Sequence, residues 1–318
     1  SFSTQTSEFQ YLDADKPNEK FKTIQPRVRD LLYSVEHFGN DFYIRTNAEG
    51  AKNFKLVKAP IEKCTKTNWV DVIPHSDKTL FEGFEIFNKY LVIEERSEGL
   101  TKIKIQSWDG KISKFLDFGE PDYSAYIGTN YDFDSEVLRY GFTSLKTPST
   151  VYDYNMNSGE KILLKQQEVL GGYNSENYNT ERVWAKATDG TLVPVSLYYK
   201  KGMEKNGKNN LLLYAYGSYG YTMDVSFSSA RLSLVDRGFV FAIAHIRGGQ
   251  EMGRYWYEDG KLLKKKNTFT DFIDCADFLI KEKYTSKENL FAMGGSAGGL
   301  LMGAVVNMRP DLWKGVVA

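Results

Sequence analysis

The strongest constraint on the fold is a repeat in the first half of the chain. Its units begin at Asp41, Lys89 and Glu136, so successive starts are 48 and 47 residues apart. Each unit joins an apolar β-prone segment to a polar turn and a second alternating segment, with one further strand before and one after it. A four-stranded unit recurring at this length is typical of a β-propeller blade, because one small sheet cannot bury both faces without neighbours.

The repeat predicts three complete blades and part of a fourth. The segment "SEFQYLDADKPNEKFKTIQP" at 7–26 precedes the first unit and fits the outer half of another blade. A β-sandwich also contains many short strands and is the alternative, although the near-constant step favours the propeller. Three and a half blades cannot close a ring, so we expect the chain to be a piece of a longer protein.

The pattern changes after a segment rich in Gly, Asn and Ser at 170–178, which we interpret as a linker. A hairpin with Asp189-Gly190 at its turn comes next. Apolar strands at 210–217, 239–249 and 289–295 then alternate with helical patterns at 227–238, about 268–283 and 297–308. This alternation predicts a mostly parallel sheet covered by helices on both faces.

A G-x-S-x-G motif, Gly294 to Gly298, lies between the last of these strands and an apolar helix, as the nucleophile elbow of α/β-hydrolases requires. The sharp turn strains the backbone of Ser296, so the side chains two residues before and two residues after it must be minimal. The helix that follows can support a developing negative charge at its N-terminus. A glycine-rich packing turn with a solvated serine is the alternative. We predict a partial β-propeller over 1–169 and the N-terminal part of an α/β-hydrolase domain over 170–318, with Ser296 as nucleophile.

A serine nucleophile needs a base, and the chain contains three histidines. His37 and His75 lie in the repeats. His245 lies in the second half but precedes Ser296, whereas the triad of this fold runs in chain order from Ser to an acid to His. We therefore expect the catalytic acid and histidine to lie beyond residue 318. Residues 1–318 alone are then expected to be inactive.

Composition excludes several classes of function. Lys plus Arg and Asp plus Glu number 41 each, so no net charge favours nucleic acid or an anionic membrane as partner. No run reaches the length of a membrane span, and no signal-peptide pattern opens the chain.

We expect Cys64 and Cys275 to be buried thiols. No His/Cys cluster has ligand spacing, so no metal or cofactor is predicted, and the oligomeric state stays open.

Several long strings resemble the prolyl oligopeptidase family of serine peptidases, and within it the oligopeptidase B group. They are "YAYGSYG" (214–220), "RLSLVDRGFVFAIAHIRGGQEMGRYWYEDGKLLKKKNTFTDFI" (231–273), "AMGGSAGGLLMG" (292–303) and "NMRPDLWKGVVA" (307–318), with "QPRVRD" (25–30) and "GLTKI" (99–103) in the repeats. The resemblance covers essentially the whole chain. It implies a seven-bladed propeller capping an α/β-hydrolase domain, an active site in the cavity between them, short peptides as substrates, and a cytoplasmic location.

The resemblance also implies roles for individual residues. Ser296 is the implied nucleophile, and the Ala297 amide and the Tyr216 hydroxyl are the two implied oxyanion donors. Packing at a strand end is the alternative for Tyr216. Asp224 matches one acid of a pair that recognises basic residues, with Ser226 at the partner position, which weakens any preference for a second basic residue. A charge at a helix N-terminus is the alternative for Asp224.

The implied function is a serine oligopeptidase that cleaves short peptides after Lys or Arg through an acyl-enzyme. Such specificity requires buried carboxylates as counter-charges. Two alternatives stay open: a prolyl-specific relative with an aromatic platform for proline, and a non-catalytic module that binds a protein partner through the propeller. The segment "RGGQEMGRYWYEDG" at 247–260 is interpreted as an architectural loop.

Overall fold

A computed structural model describes residues 6–318 of the chain. The chain divides into two compact units. One holds the residues up to Ser97 together with Lys102–Leu116 and Tyr131–Glu136; the other holds Glu98–Thr101, Asp117–Asn130 and Val137–Ala318. The second unit thus includes the last repeat as well as the α/β half, and a domain boundary at residue 169 stays a prediction.

Within residues 6–318, the repeat region folds as a two-stranded ladder followed by three four-stranded antiparallel sheets. The ladder pairs β1 (Gln10–Tyr11) with β2 (Lys22–Thr23). The first sheet contains β3 (Tyr33–Phe38), β4 (Asp41–Thr46), β5 (Lys55–Pro60) and β6 (Val70–Ile73), the second β7 (Thr79–Ile86), β8 (Tyr90–Ser97), β9 (Leu100–Ser107) and β10 (Ser113–Phe115), and the third β11 (Ser124–Ile127), β12 (Val137–Thr143), β13 (Thr150–Asn155) and β14 (Lys161–Gln166). The predicted partial propeller is confirmed.

The first and second sheets of the repeat share an apolar core because side chains alternate between the two faces of a strand. On β4, Phe42 and Ile44 point into a core with Ile24 and Val57, within the first sheet and the ladder. Tyr43, between them, points the other way and packs with Leu91 of the second sheet. The first sheet therefore buries one face with the ladder and the other against the second sheet.

The second half of the chain forms one six-stranded mixed sheet. Its strands are β15 (Tyr178–Lys186), β16 (Leu192–Lys200), β17 (Leu211–Tyr214), β18 (Val240–Ala244), β19 (Leu290–Met293) and β20 (Gly315–Val317), in the spatial order β15-β16-β18-β17-β19-β20. The hairpin of β15 and β16 turns at Gly190, where φ is 89°. The last four strands of that order are parallel, as the alternating pattern predicted.

Helices cover both faces of this sheet. The α-helices of the described residues are α1 (Ser229–Val235), α2 (Arg254–Glu258), α3 (Lys266–Lys281) and α4 (Ala297–Met308), and the short 3-10 turns are Ala48–Gly50, Ile61–Lys63, Lys66–Asn68, Ser175–Asn177, Leu262–Lys264 and Lys287–Asn289. On β18, Val240 and Ala242 face the core formed with α3 and α4, and Phe241 and Ile243 face α1. The predicted two-sided cover is confirmed.

The structure also tests the predicted state of the two cysteines and the predicted bounds of the longest helix. Cys64 and Cys275 are both buried free thiols, as predicted. The helix expected at about 268–283 begins and ends two residues earlier. Across residues 6–318, no helix combines the length and the apolar character needed to cross a membrane.

Candidate active site

Ser296 occupies the turn that joins β19 to α4. Its backbone angles are φ 56° and ψ −119°, in a region that side-chain-bearing residues rarely adopt. The residue is exposed. A strained, exposed serine between a buried strand and a helix is the geometry of a nucleophile elbow.

Two glycines of the motif are required by contact. A Cβ on Gly294 would stand 2.5 Å from the Gly298 carbonyl oxygen, and a Cβ on Gly298 would stand 2.9 Å from the Ala215 carbonyl oxygen. Gly295 has no neighbour within 4 Å of its would-be Cβ. The positions two residues on either side of Ser296 are therefore the restricted ones, as the sequence predicted.

The backbone amide of Ala297 begins α4 directly beside the Ser296 side chain. Gly298 and Gly299, the next two residues, already donate to the Gly295 and Ser296 carbonyls at 2.8 Å. The positive end of the helix dipole adds to the amide at this position. An oxyanion formed on a group attacked by Ser296 would be stabilised here.

Tyr216 leaves the same edge of the sheet as Ser296. β17 and β19 are parallel neighbours, with Tyr214 opposite Met293. The carboxyl ends of the two strands therefore lie side by side. The Tyr216 Cα lies 3.7 Å from the would-be Cβ of Gly298. The Tyr216 ring is half-buried and meets Tyr221 edge-on, at 5.8 Å between centroids. The structure brings Tyr216 to the start of α4.

Asp224 lies in the loop between β17 and α1 and is half-buried. Thr222 Oγ1 donates to its Oδ2 at 3.1 Å. Since α1 begins at Ser229 and has no acid in its first turn, the alternative of a helix N-terminal charge is wrong. Ser226, at the position of the expected second acid, accepts hydrogen bonds from Arg231 through its carbonyl (2.6 Å) and its hydroxyl (3.3 Å).

The Nε2 atoms of the three histidines are all paired away from Ser296. His245 Nε2 lies 2.6 Å from Ser196 Oγ, and His245 Nδ1 lies 4.0 Å from Glu251 Oε1. This set imitates a Ser-His-acid triad, but all three residues are at most 3% exposed, so no substrate reaches it. His37 Nε2 contacts the Gly39 carbonyl, and His75 Nε2 accepts from the Asn53 amide.

The segment 247–260 contacts α3, the turn of the β15–β16 hairpin and the loop that precedes α1. Arg247 donates to both carboxylate oxygens of buried Asp271, at 2.5 and 2.8 Å, and to Asp189 at 2.6 Å. These hydrogen bonds raise the pKa of Arg247 above its ordinary value. Glu251 accepts from the Met223 amide at 2.8 Å and so fixes the residue before Asp224. These contacts support the architectural interpretation.

Lys265, immediately before α3, was not singled out by the sequence. Its ammonium donates to the Gly217 carbonyl at 2.5 Å and to Ser218 Oγ at 2.7 Å. Burial lowers the pKa of Lys265 to about 8. Four lysines lie within 261–266, and nothing in their order distinguishes this one.

Comparisons with known proteins agree with this geometry. A family model described as "Prolyl oligopeptidase, N-terminal beta-propeller domain" matches residues 1–167, and one described as "Prolyl oligopeptidase family" matches residues 225–318. The first match covers more than half of the chain.

Individual relatives match nearly all of the chain. Dipeptidyl aminopeptidase BI of Pseudoxanthomonas mexicana is 49% identical over 313 residues, which are 98% of this chain and 43% of that protein. Protease 2 of Moraxella lacunata is 39% identical over 317 residues, 100% of this chain and 45% of the relative. The solved structure of oligopeptidase B from Leishmania major is 38% identical with a TM-score of 0.91, covering 99% of this chain and 46% of that one. The chain spans less than half the length of these relatives.

Proposed function

This chain belongs to the prolyl oligopeptidase family, and from that membership we propose that it carries the nucleophile and oxyanion donors of a serine peptidase acting on short peptides. Ser296 attacks the peptide carbonyl, the C–N bond breaks and the amine leaves, and the acyl-enzyme ester that results is hydrolysed by water to release the carboxylic acid and the free Ser296 hydroxyl. Two relatives, named oligopeptidase B and dipeptidyl aminopeptidase BI, supply the two candidate specificities.

The observation that carries the proposal is the backbone conformation of Ser296, φ 56° and ψ −119°. Such strain costs about 1–3 kcal/mol and persists where the surrounding structure enforces it. A packing turn with a solvated serine does not require a strained backbone that holds the serine exposed. The glycines at 294 and 298 are the surroundings that permit it.

We assign the oxyanion hole to the Ala297 amide and the Tyr216 hydroxyl. A phenol aimed at the developing charge can take the place of a second backbone N–H. The proton of Ser296 must pass to a base, and the Nε2 atoms of His37, His75 and His245 are engaged elsewhere. We therefore assign the base and its acid to residues outside these 318, and propose that residues 1–318 alone are inactive.

Asp224 is our proposed counter-charge for a substrate cation, in support of cleavage after Lys or Arg. Because Ser226 replaces the expected second acid and bonds Arg231, we propose recognition of one basic group in this loop. That basic group is a side chain if the protein is an oligopeptidase. It is the free amino terminus if the protein is a dipeptidyl aminopeptidase, the second candidate, which the 49% identity favours.

Two matched fluorogenic substrates test these candidates in the active protein that contains this sequence. One is an N-blocked peptide cleaved after Arg, and the other is a dipeptide ending in Arg with a free amino group. Faster turnover of the blocked peptide supports the oligopeptidase, and hydrolysis of the free dipeptide alone supports the second candidate. Exchanging Arg for Pro tests the prolyl-specific alternative. Hydrolysis that survives Ser296→Ala, or no hydrolysis of any substrate, would contradict the proposal.

A further inference from the structure

We propose that Lys265 is a positioning residue that holds the loop after β17 so that the Tyr216 hydroxyl is aimed at the oxyanion. The inference rests on the proposed function, because it gives Tyr216 a role in the reaction. It concerns the loop 216–221, named here the tyrosine loop.

The ammonium of Lys265 reaches the tyrosine loop at the residue that follows Tyr216. It donates to the Gly217 carbonyl and the Ser218 hydroxyl, both of which belong to buried residues. These two bonds fix the peptide plane between Gly217 and Ser218. A change of that plane would turn the backbone from which the Tyr216 side chain leaves the sheet.

The rest of the tyrosine loop is conformationally restricted, so it cannot compensate for a loss of the hydrogen bonds from Lys265. Gly217 has φ 67°, and its would-be Cβ stands 2.5 Å from Thr268 Cγ2, so no side chain fits there. Tyr219 is 78% exposed and holds φ at 59°, a strained value for a side-chain-bearing residue. One backbone bond, from the Gly220 amide to the Gly248 carbonyl at 3.0 Å, holds the far side. Lys265 supplies the near side.

Lys265 is an unusual choice for a structural anchor. In the part of the chain that the structure describes, its ammonium pairs with no carboxylate, and its partners are neutral oxygens. The groups that face it are the Gly217 carbonyl, the Ser218 hydroxyl and the Phe269 ring, 6.0 Å from the centroid, and none of them titrates. Lys265 is half-buried, and even partial burial of a charge without a counter-charge is unfavourable, which suits a residue kept for its hydrogen-bond donors.

The anchor weakens when the ammonium loses a proton, since a charged donor makes the stronger hydrogen bond. Burial lowers the pKa of Lys265 to about 8, so the charged form predominates below that pH and is lost progressively as the pH rises through it. We expect kcat to fall along an alkaline limb near pH 8. Lys265→Arg, which stays charged to pH above 12, should retain the donors and move that limb upward.

The test combines kinetics with amide hydrogen exchange in the active protein that contains this sequence. Lys265→Met should lower kcat by about tenfold to a hundredfold, as expected for a misplaced oxyanion donor, with KM changed by less than about twofold. Exchange should rise at the Gly220 and Tyr221 amides and stay unchanged in α3. Lys265→Arg should restore both. Lys264→Met is the matched control, because exposed Lys264 pairs with Asp259, and it should change neither.

The outcomes separate this inference from the proposed function. Unchanged exchange in the tyrosine loop of Lys265→Met, or an equal effect of Lys264→Met, would overturn the anchor. An alkaline limb that Lys265→Arg leaves in place would also count against it. Raised exchange in a protein without Ser296-dependent turnover would overturn the proposed function, and with it the catalytic part of this inference.

Discussion

Gly298 lies so close to Ala215 that a Cβ on residue 298 would stand 2.9 Å from the Ala215 carbonyl oxygen. The first turn of α4 is therefore pressed against the end of β17. This contact places the Ser296 turn beside the residue that precedes Tyr216, and it links the proposed nucleophile to the proposed oxyanion donor through backbone alone.

The glycines of the turn provide a first test. We expect Gly294→Ala to destabilise the fold by about 1–3 kcal/mol, because its Cβ would overlap the Gly298 carbonyl and force a backbone shift. Gly295→Ala is the control, since its Cβ meets open space, and should change stability by less than about 0.5 kcal/mol. Equilibrium unfolding in denaturant measures both. Equal losses would show that the turn is not packed as described.

Tyr216→Phe tests the oxyanion donor. Losing one donor costs about two to three orders of magnitude in kcat, with KM nearly unchanged, because the lost bond forms only in the transition state. Tyr221→Phe is the matched control, since Tyr221 is the edge-on partner of Tyr216 and keeps its ring. Steady-state kinetics of both variants decide the matter. A kcat for Tyr216→Phe equal to that of Tyr221→Phe would leave Tyr216 with packing alone.

Asp224→Asn tests the proposed counter-charge. We expect KM to rise for substrates with a basic group near the cleaved bond, because the amide cannot offer the ammonium a negative charge. Substrates with a neutral group at that position should be unaffected. Thr222→Val, which removes only the hydroxyl donated to Asp224, should raise KM less. An equal rise of KM for basic and neutral substrates would show a general disturbance of the loop.

Burial should decide the energies of two similar ion pairs. Asp271→Asn leaves the buried Arg247 guanidinium without its main partner, and we expect a loss of about 3–5 kcal/mol in unfolding free energy. Asp311→Asn breaks an exposed pair with Arg309 and should cost at most about 1 kcal/mol. Denaturant unfolding of both variants gives the comparison. Similar losses would contradict a structural role for segment 247–260 beyond surface pairing.

The sequence predicted well where the signal is local or periodic. The Ser296 turn was predicted from five consecutive residues. The helix predicted from Ala297 to Met308 has the bounds of the observed α4. The blade repeat was visible because each unit repeats the same alternation of apolar and polar residues along its strands. The hairpin turn at Asp189-Gly190 follows from the positive φ that Gly190 supplies.

Short elements and distant contacts escaped sequence reasoning. Helix α2 has five residues and begins after Gly253, which is too short for an apolar period to appear, and β20 has only three residues. Lys265 contacts Gly217, 48 residues earlier in the chain, through a fold that no local pattern specifies. The pairing of His245 with Ser196 is likewise set by neighbouring strands of the sheet.

Covalent labelling with a fluorophosphonate, which reacts with activated serines, tests Ser296 as the nucleophile in the active protein that contains this sequence. Peptide mass mapping then locates the label. We expect one label per chain on Ser296, none on Ser196 despite its contact with His245, and none in Ser296→Ala. A label on another serine, or labelling that persists in Ser296→Ala, would contradict Ser296 as the nucleophile.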